Sequence, residues 1–196
     1  MKIERIAQAG LTYGKDAYDR ELYAELREIA ARMVAERTHL TVEGVLDLFA
    51  AEEGYPTPKV DTRAAIFKDG KILLVHEKNG TWSLPGGWCD TDQSVASNTV
   101  KEIKEETGLN AEVERLIAVQ DRRRHNVCNY VFGVVKVFLL CRVTGGEFEE
   151  NIETDGFRYF AEDELPEHLA TEKTSKEQLL LCFEAEEDPA WQPPVD

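Results

Sequence analysis

Gly87-Trp88-Cys89-Asp90-Thr91-Asp92-Gln93, then seven residues, then Lys101-Glu102-Ile103-Lys104-Glu105-Glu106-Thr107-Gly108-Leu109: this stretch decides the reading of the chain. Glu102, Glu105 and Glu106 stand at i, i+3 and i+4, which on a helix is one face. Three like charges on one face repel, and a helix gains nothing from them. A divalent cation removes that repulsion, because hard cations take oxygen ligands. The glycines Gly86 and Gly87 suit a loop whose backbone must approach a ligand closely. The stretch therefore predicts a helix whose carboxylate face holds Mg²⁺ beside a glycine loop.

Strand signals surround this helix. Residues 63–67 and 72–76 bracket Lys68-Asp69-Gly70-Lys71, a tight hairpin turn because Asp-Gly tolerates positive φ at both central positions. Trp82-Ser83-Leu84-Pro85 leads into the glycines. Asp92 or Ser94 is the candidate helix cap, and Gly108 the terminator. Residues 111–119, 131–143 and 157–160 read as further strands, with Gly145-Gly146 as a turn. Ser175 and Gln178 form a capping box for a last helix carrying Leu179, Leu180, Cys182 and Phe183. The Pro-rich tail after Glu187 reads as loosely ordered.

Residues 1–57 read as a separate helical domain. Tyr18, Leu22, Tyr23, Leu26, Ile29, Ala30 and Met33 recur at helical steps and predict an amphipathic helix with one buried stripe. Thr41 can cap a second helix whose apolar face is Val42, Val45, Leu46 and Phe49. Gly54-Tyr55-Pro56-Thr57-Pro58 breaks the pattern as a linker to a second domain, residues 58–196. One short helix cannot cover the whole stripe, so either the second domain or a second copy of the chain does.

Composition narrows the function classes. The 196 residues carry 42% apolar side chains, enough for a real core. Twenty-three basic against 38 acidic residues give a net charge of −15. So acidic a chain is a poor general nucleic-acid binder, and an anionic substrate has to be admitted by metal or by a local basic patch. The four cysteines form no C-x-x-C pair, and Cys128, Cys141 and Cys182 lie in apolar surroundings that predict buried free thiols. With no apolar leader and no run of membrane-spanning length, the chain reads as cytoplasmic.

The motif resembles the Nudix box, G-x5-E-x7-R-E-U-x-E-E-x-G-U with U a bulky apolar residue. Gly87, Glu102, Ile103, Glu105, Glu106, Gly108 and Leu109 match it, while Gln93 and Lys101 stand where the family has Glu and Arg. The run from Tyr13 to Arg20, the helix after it, and Pro58-Lys59-Val60-Asp61-Thr62-Arg63-Ala64-Ala65 resemble a Nudix subgroup with a small N-terminal domain. That subgroup includes CDP-choline pyrophosphatases and proteins labelled ADP-ribose pyrophosphatases. The resemblance implies an α/β/α sandwich with a mixed sheet behind a small α-helical domain. It also implies a homodimer, and Mg²⁺- or Mn²⁺-dependent hydrolysis of a nucleoside diphosphate linked to another group, X, to a nucleoside monophosphate and phospho-X.

Carried onto these residues, the resemblance makes Glu102, Glu105 and Glu106 metal ligands and catalytic groups, with the Gly87 carbonyl completing the coordination. Lys101 takes the orienting role of the box Arg, with looser geometry than a planar fork; Gln93 removes one charge but still hydrogen-bonds. Among Glu147, Glu149, Glu150 and Glu153, Glu153 is the candidate base or added ligand; the bland reading of this stretch is a solvated acidic loop. Arg122-Arg123-Arg124-His125 is the strongest basic run. Arg122 and His125 are candidate substrate contacts with Arg63, and an exposed charge-balancing loop is the alternative. Trp82, Trp88, Tyr130 and Phe132 are the aromatics available for base stacking, with Trp82 the foremost. A non-catalytic Nudix domain that senses a nucleotide-linked ligand is the second reading, and processing of RNA ends a third.

Overall fold

The computed structural model describes every residue except Met1, His39, 51–53, Cys128, Asn129, Val131 and Glu150. The expectations for Cys128, Glu150 and the start of the 131–143 strand lie outside the described residues. The chain divides into two compact units: residues up to Pro58 with the 129–132 segment, and 59–128 with 133–196.

The first unit is helical: α1 (Lys2–Tyr13), α2 (Ala17–Ala35) and α3 (Val42–Ala50). Asp16 caps α2 by accepting from the amides of Tyr18 and Asp19. Thr41 takes the Gly44 amide at 3.1 Å at the start of α3. A Cβ on Gly10 would sit 2.3 Å from the Tyr23 ring, so glycine is what lets α1 approach α2. The core of this unit is Ala30, Ala31, Val34, Val45 and Phe49. The expected stripe is buried only in part: Ala30 joins the core and Tyr23 packs on Gly10, while its other large side chains do not. The short side chains of Ala30 and Ala31 admit α3, and Tyr18, Leu22, Ile29 and Met33 stay 36–68% exposed.

The second unit is a mixed sheet between two helices. Its strands are β1 (Lys59–Lys68), β2 (Lys71–Glu77), β3 (Trp82–Ser83), β4 (Leu109–Asp121), β5 (Val134–Gly146) and β6 (Thr154–Phe160). They run in the order β3-β2-β1-β5-β4, with β6 on β2. β1 and β5 are parallel, and every other pair is antiparallel. Asp69 and Gly70, at φ 52° and 70°, close the β1–β2 hairpin as Asp-Gly predicts.

Alternation sorts the side chains onto two faces. Ala64, Ile66, Leu73, Val75, Val137, Leu139 and Cys141 pack with Ile103 of α4 (Val95–Thr107). Ala65, Ile72, Leu74, Phe138 and Leu140 pack with Leu179, Cys182 and Phe183 of the last helix (Lys176–Glu187). Burial on both faces is why these strands read as continuous apolar runs rather than a clean alternation. Each fully buried Leu, Ile or Phe contributes about 1.5–3 kcal/mol. Cys141 and Cys182 are buried free thiols, and Cys89 is partly exposed.

The tail after Glu187 differs from its loose reading. Trp191 Nε1 donates to the Ile117 carbonyl at 2.8 Å, and Val119 N–H to that of Pro194 at 3.0 Å. β4 is an edge strand whose free backbone groups need partners, and the tail supplies them. Among the described residues no helix is long and apolar enough to cross a membrane.

Candidate active site

The site begins where β1 and β2 part. They pair only at Phe67 and Lys68, beside the hairpin turn. Further back along β1, the segment before α4 takes the vacated place. Ala64 N–H donates to the Pro85 carbonyl, Thr62 N–H to that of Gly87 and Cys89 N–H to that of Val60, at 2.8–2.9 Å. A Cβ on Gly86, whose φ is 140°, would lie 1.9 Å from the Thr62 carbonyl oxygen, so no other residue fits. Gly87 makes room of another kind: a Cβ there would meet the Glu102 carboxylate at 2.7 Å. Asn98 of α4 ties the pieces together, donating to Thr62 Oγ1 at 3.0 Å and accepting from Asp90 N–H at 3.2 Å.

Ser94 caps α4 in a capping box with Ser97, and Gly108, at φ 75°, ends it. The helix is thereby set so that Lys101, Glu102, Glu105 and Glu106 line one cleft of about 410 Å³ with Gly86 and Gly87. Asp61, Arg63, Trp88, Asp90, Arg122, Glu153, Glu172 and Lys173 complete the lining. Glu106 is buried and accepts the Gly86 N–H at 2.9 Å. Burial, with Glu102 adding repulsion, pushes its carboxyl up to about 8 against the pull of Arg63. Burial also raises Glu102; Lys101 opposes this, while Glu105 and Glu153 add to it. Lys101 reaches Asp90 at 2.9 Å, Glu105 at 3.4 Å and Glu102 at 3.6 Å, so its ammonium is shared among three carboxylates. Gln93 stays in the turn before α4, its N–H on the Asp90 carbonyl.

Beneath the cleft lies a buried charge cluster. Arg63 forks onto Asp61 at 2.8 and 3.3 Å and donates to the Leu84 carbonyl at 3.2 Å. Lys136, fully buried on β5, is paired with the same Asp61 carboxylate. The two cations hold Asp61 below the usual carboxylate range despite its burial. Desolvation and the Arg63 charge bring Lys136 down to about 8.

Of the residues proposed from sequence, Gly87, Lys101, Glu102, Glu105, Glu106, Arg63, Arg122 and Glu153 share this one cleft. Trp82 and His125 do not line it. Trp82 lies tilted against His76 and edge-to-face with Phe160, ring centroids 4.7 and 4.9 Å away, and packs on the core. His125 Nε2 meets Asp196 at 2.5 Å and lines a separate hollow with Leu165 and Leu169. Sequence reasoning missed Asp61, Asp90, Glu172 and Lys173. Two charges spaced i, i+2 inside the apolar run of β1 were a usable signal for Asp61; Lys173 had none.

The donor chemistry fits a hard divalent cation. Among the described residues, seven lining carboxyl groups (Asp61, Asp90, Glu102, Glu105, Glu106, Glu153, Glu172) face four cations (Arg63, Lys101, Arg122, Lys173), so acidic groups outnumber basic ones by three. Among the described residues no three such groups are already gathered to hold an ion. Repulsion opposes that gathering, and a cation's charge would offset it. Glu102, Glu105 and Glu106 would hold the ion, with the Gly87 carbonyl, which already accepts from Thr62.

Residues 57–182 match the family model of the NUDIX domain, and residues 1–49 match that of the UDP-X-like N-terminal oligomerisation domain. The chain is 45% identical over 184 residues to YjhB of Bacillus subtilis (strain 168), provisionally named an ADP-ribose pyrophosphatase; this spans 93% of the chain and 88% of the relative. A solved structure described as an ADP-ribose pyrophosphatase of Streptococcus suis 89-1591 is 52% identical, with a TM-score of 0.67, covering 71% of this chain and all of that one. Another, described as a UDP-X diphosphatase, is 35% identical with a TM-score of 0.68, covering 100% of this chain and 95% of that one. The chain therefore belongs to the Nudix hydrolases, with an N-terminal domain of the UDP-X-like oligomerisation type ahead of its Nudix domain.

Proposed function

We propose that this enzyme is a Mg²⁺-dependent pyrophosphohydrolase. It cleaves the diphosphate bridge of a nucleoside diphosphate linked to X and releases a nucleoside monophosphate and phospho-X. The observation that carries the reading is the meeting of the box carboxylates, the glycine loop, Glu153 and a basic rim in one cleft. A bound divalent cation supplies charge neutralisation at the phosphoryl oxygens. Glu102, Glu105 and Glu106 would hold it. Lys101, paired with Glu102 and Glu105, keeps those two from driving one another apart. Glu153, an exposed carboxylate on the cleft, takes the proton from the attacking water. ADP-ribose and UDP-linked compounds stand first among substrates, because relatives spanning most or all of the chain are described as an ADP-ribose pyrophosphatase and a UDP-X diphosphatase. CDP-choline stands behind them, with Trp88 as the one aromatic on the cleft among the described residues to meet its ammonium.

The chain works as a homodimer, with residues 1–57 as the dimerisation domain and residues 58–196 as the hydrolase domain. The exposed Tyr18, Leu22, Ile29 and Met33 stripe of α2 supports this, as does the match to an oligomerisation domain.

Product release from ADP-ribose, a UDP-sugar and CDP-choline, with Mg²⁺ and with EDTA, tests the function. AMP, UMP or CMP should form only with Mg²⁺, and Glu105→Gln should lower turnover on the order of a hundredfold. Binding of one compound without turnover would replace this reading with that of a sensor.

A further inference from the structure

The loop ahead of the last helix contributes to the cleft a group that the box chemistry does not use. Trp82 N–H donates to the His168 carbonyl and Ala170 N–H to that of Trp82, both at 2.9 Å. Leu84 N–H donates to Thr174 Oγ1 at 3.2 Å. The loop is thus zipped to the residues that run directly into Gly86 and Gly87. On its other side Arg122 Nε donates to the Glu172 carbonyl at 3.0 Å. Between these fastenings Lys173 reaches the cleft.

Lys173 is also held through its side chain. Its Nζ lies 2.8 Å from Glu77 Oε2, and Glu77 Oε1 accepts from Ser83 Oγ at 2.8 Å. Glu77 and Ser83 are buried, whereas the Lys173 side chain is 39% exposed. Glu77 occupies one of three ammonium donors, which leaves a fixed cation able to take further acceptors. A lysine that only neutralised Glu77 would need neither these loop fastenings nor a place on the cleft.

We propose that Lys173 is the anion anchor of this cleft: positioned by Glu77, its ammonium binds the non-bridging oxygens of the substrate's diphosphate. This rests on the hydrolase reading above and deepens it. It gives the enzyme a contact to phosphate oxygens that is indifferent to the nucleobase and to X.

Calorimetric titration with methylenediphosphonate and Mg²⁺ tests the anchor without turnover, because the P–C–P bridge is not cleaved and no base is present. Wild type should bind; Lys173→Gln should weaken binding roughly tenfold to a hundredfold, and Lys173→Arg should largely retain it. Glu77→Gln should weaken it less, by freeing the ammonium to wander. In turnover, Lys173→Gln should raise KM more than it lowers kcat. Wild-type affinity in Lys173→Gln, or no binding by wild type, would overturn the proposal. Should Lys173→Gln fold poorly, as thermal unfolding would reveal, the Glu77→Gln, Lys173→Met pair removes the buried imbalance. Recovery of wild-type affinity in that pair would make Lys173 a structural partner only. Failure of the hydrolase reading shows separately, as wild type that binds the diphosphonate but cleaves no substrate.

Discussion

Lys101 stands where its family has an arginine, and its geometry shows what the exchange entails. A guanidinium would grip one carboxylate with two prongs. The ammonium spreads over Asp90, Glu102 and Glu105. Asp90 supplies an acidic partner three residues before Gln93, the position at which the family's Glu is absent. We expect Lys101→Met to lower kcat about tenfold, as loss of an outer-shell partner does, and Lys101→Arg to preserve it. Asp90→Asn should act in the same direction, and the double variant should show less than the sum of the two effects. Unchanged kcat in Lys101→Met would deny the lysine an orienting role. Lys136 presents the opposite case, a cation with no water around it. Its folded pKa of about 8 lies below the ordinary lysine value, so from pH 8 upward the unfolded chain binds the extra proton. Stability relative to Lys136→Met should therefore rise with pH over that window, by about 1 kcal/mol per pH unit. Chemical denaturation of both proteins from pH 7 to 10 checks this. A flat difference would mean that Asp61 keeps the lysine charged.

At the scale of elements, local spacing foretold the helix α4, its cap and its glycine stop, because each depends on residues within one or two turns. The loop between β5 and β6 was legible only as acidic. In the structure Asn151 organises it. Its Oδ1 accepts from the amides of Glu153 and Thr154, and its Nδ2 donates to the Glu106 carbonyl at 3.1 Å, where Thr154 Oγ1 donates at 2.7 Å. One side chain thus ties the segment carrying Glu153 to the end of the helix carrying Glu106. Asn151→Ala should cost about 1–2 kcal/mol and lower kcat in the same direction as Glu153→Gln. Melting curves read beside turnover will separate the two effects. If kcat holds while Tm falls, the loop needs no such tie for catalysis.

Across the whole molecule, the proposed homodimer makes the apolar stripe of α2 a candidate interface. Tyr18, Leu22, Ile29 and Met33 recur along one side of α2 and remain in contact with water, which one folded copy leaves uncompensated. Leu22→Glu combined with Met33→Glu should convert a dimer into a monomer without unfolding the sheet domain. Light scattering on the eluting protein reads the mass directly. A wild-type monomer, or a double variant of unchanged mass, would remove α2 from the interface.

By itself the amino-acid sequence determined what short-range physics controls. The three glutamates share a helix face, Asp69-Gly70 closes a hairpin, Asp92 or Ser94 starts α4 and Gly108 ends it, and short apolar runs mark the strands. Each follows from backbone geometry and from side-chain periodicity over a few residues. Only the tertiary structure decided which distant polar groups meet. Strand register put Asp61, Arg63 and Lys136 together beneath the cleft, and loop pairing with β3 brought Lys173 to its rim. Register likewise turned Trp82 into the core, and the tail drew His125 onto Asp196. Apart from the i, i+2 spacing of Asp61 and Arg63, those outcomes depend on chain closure between segments far apart, which no local pattern records.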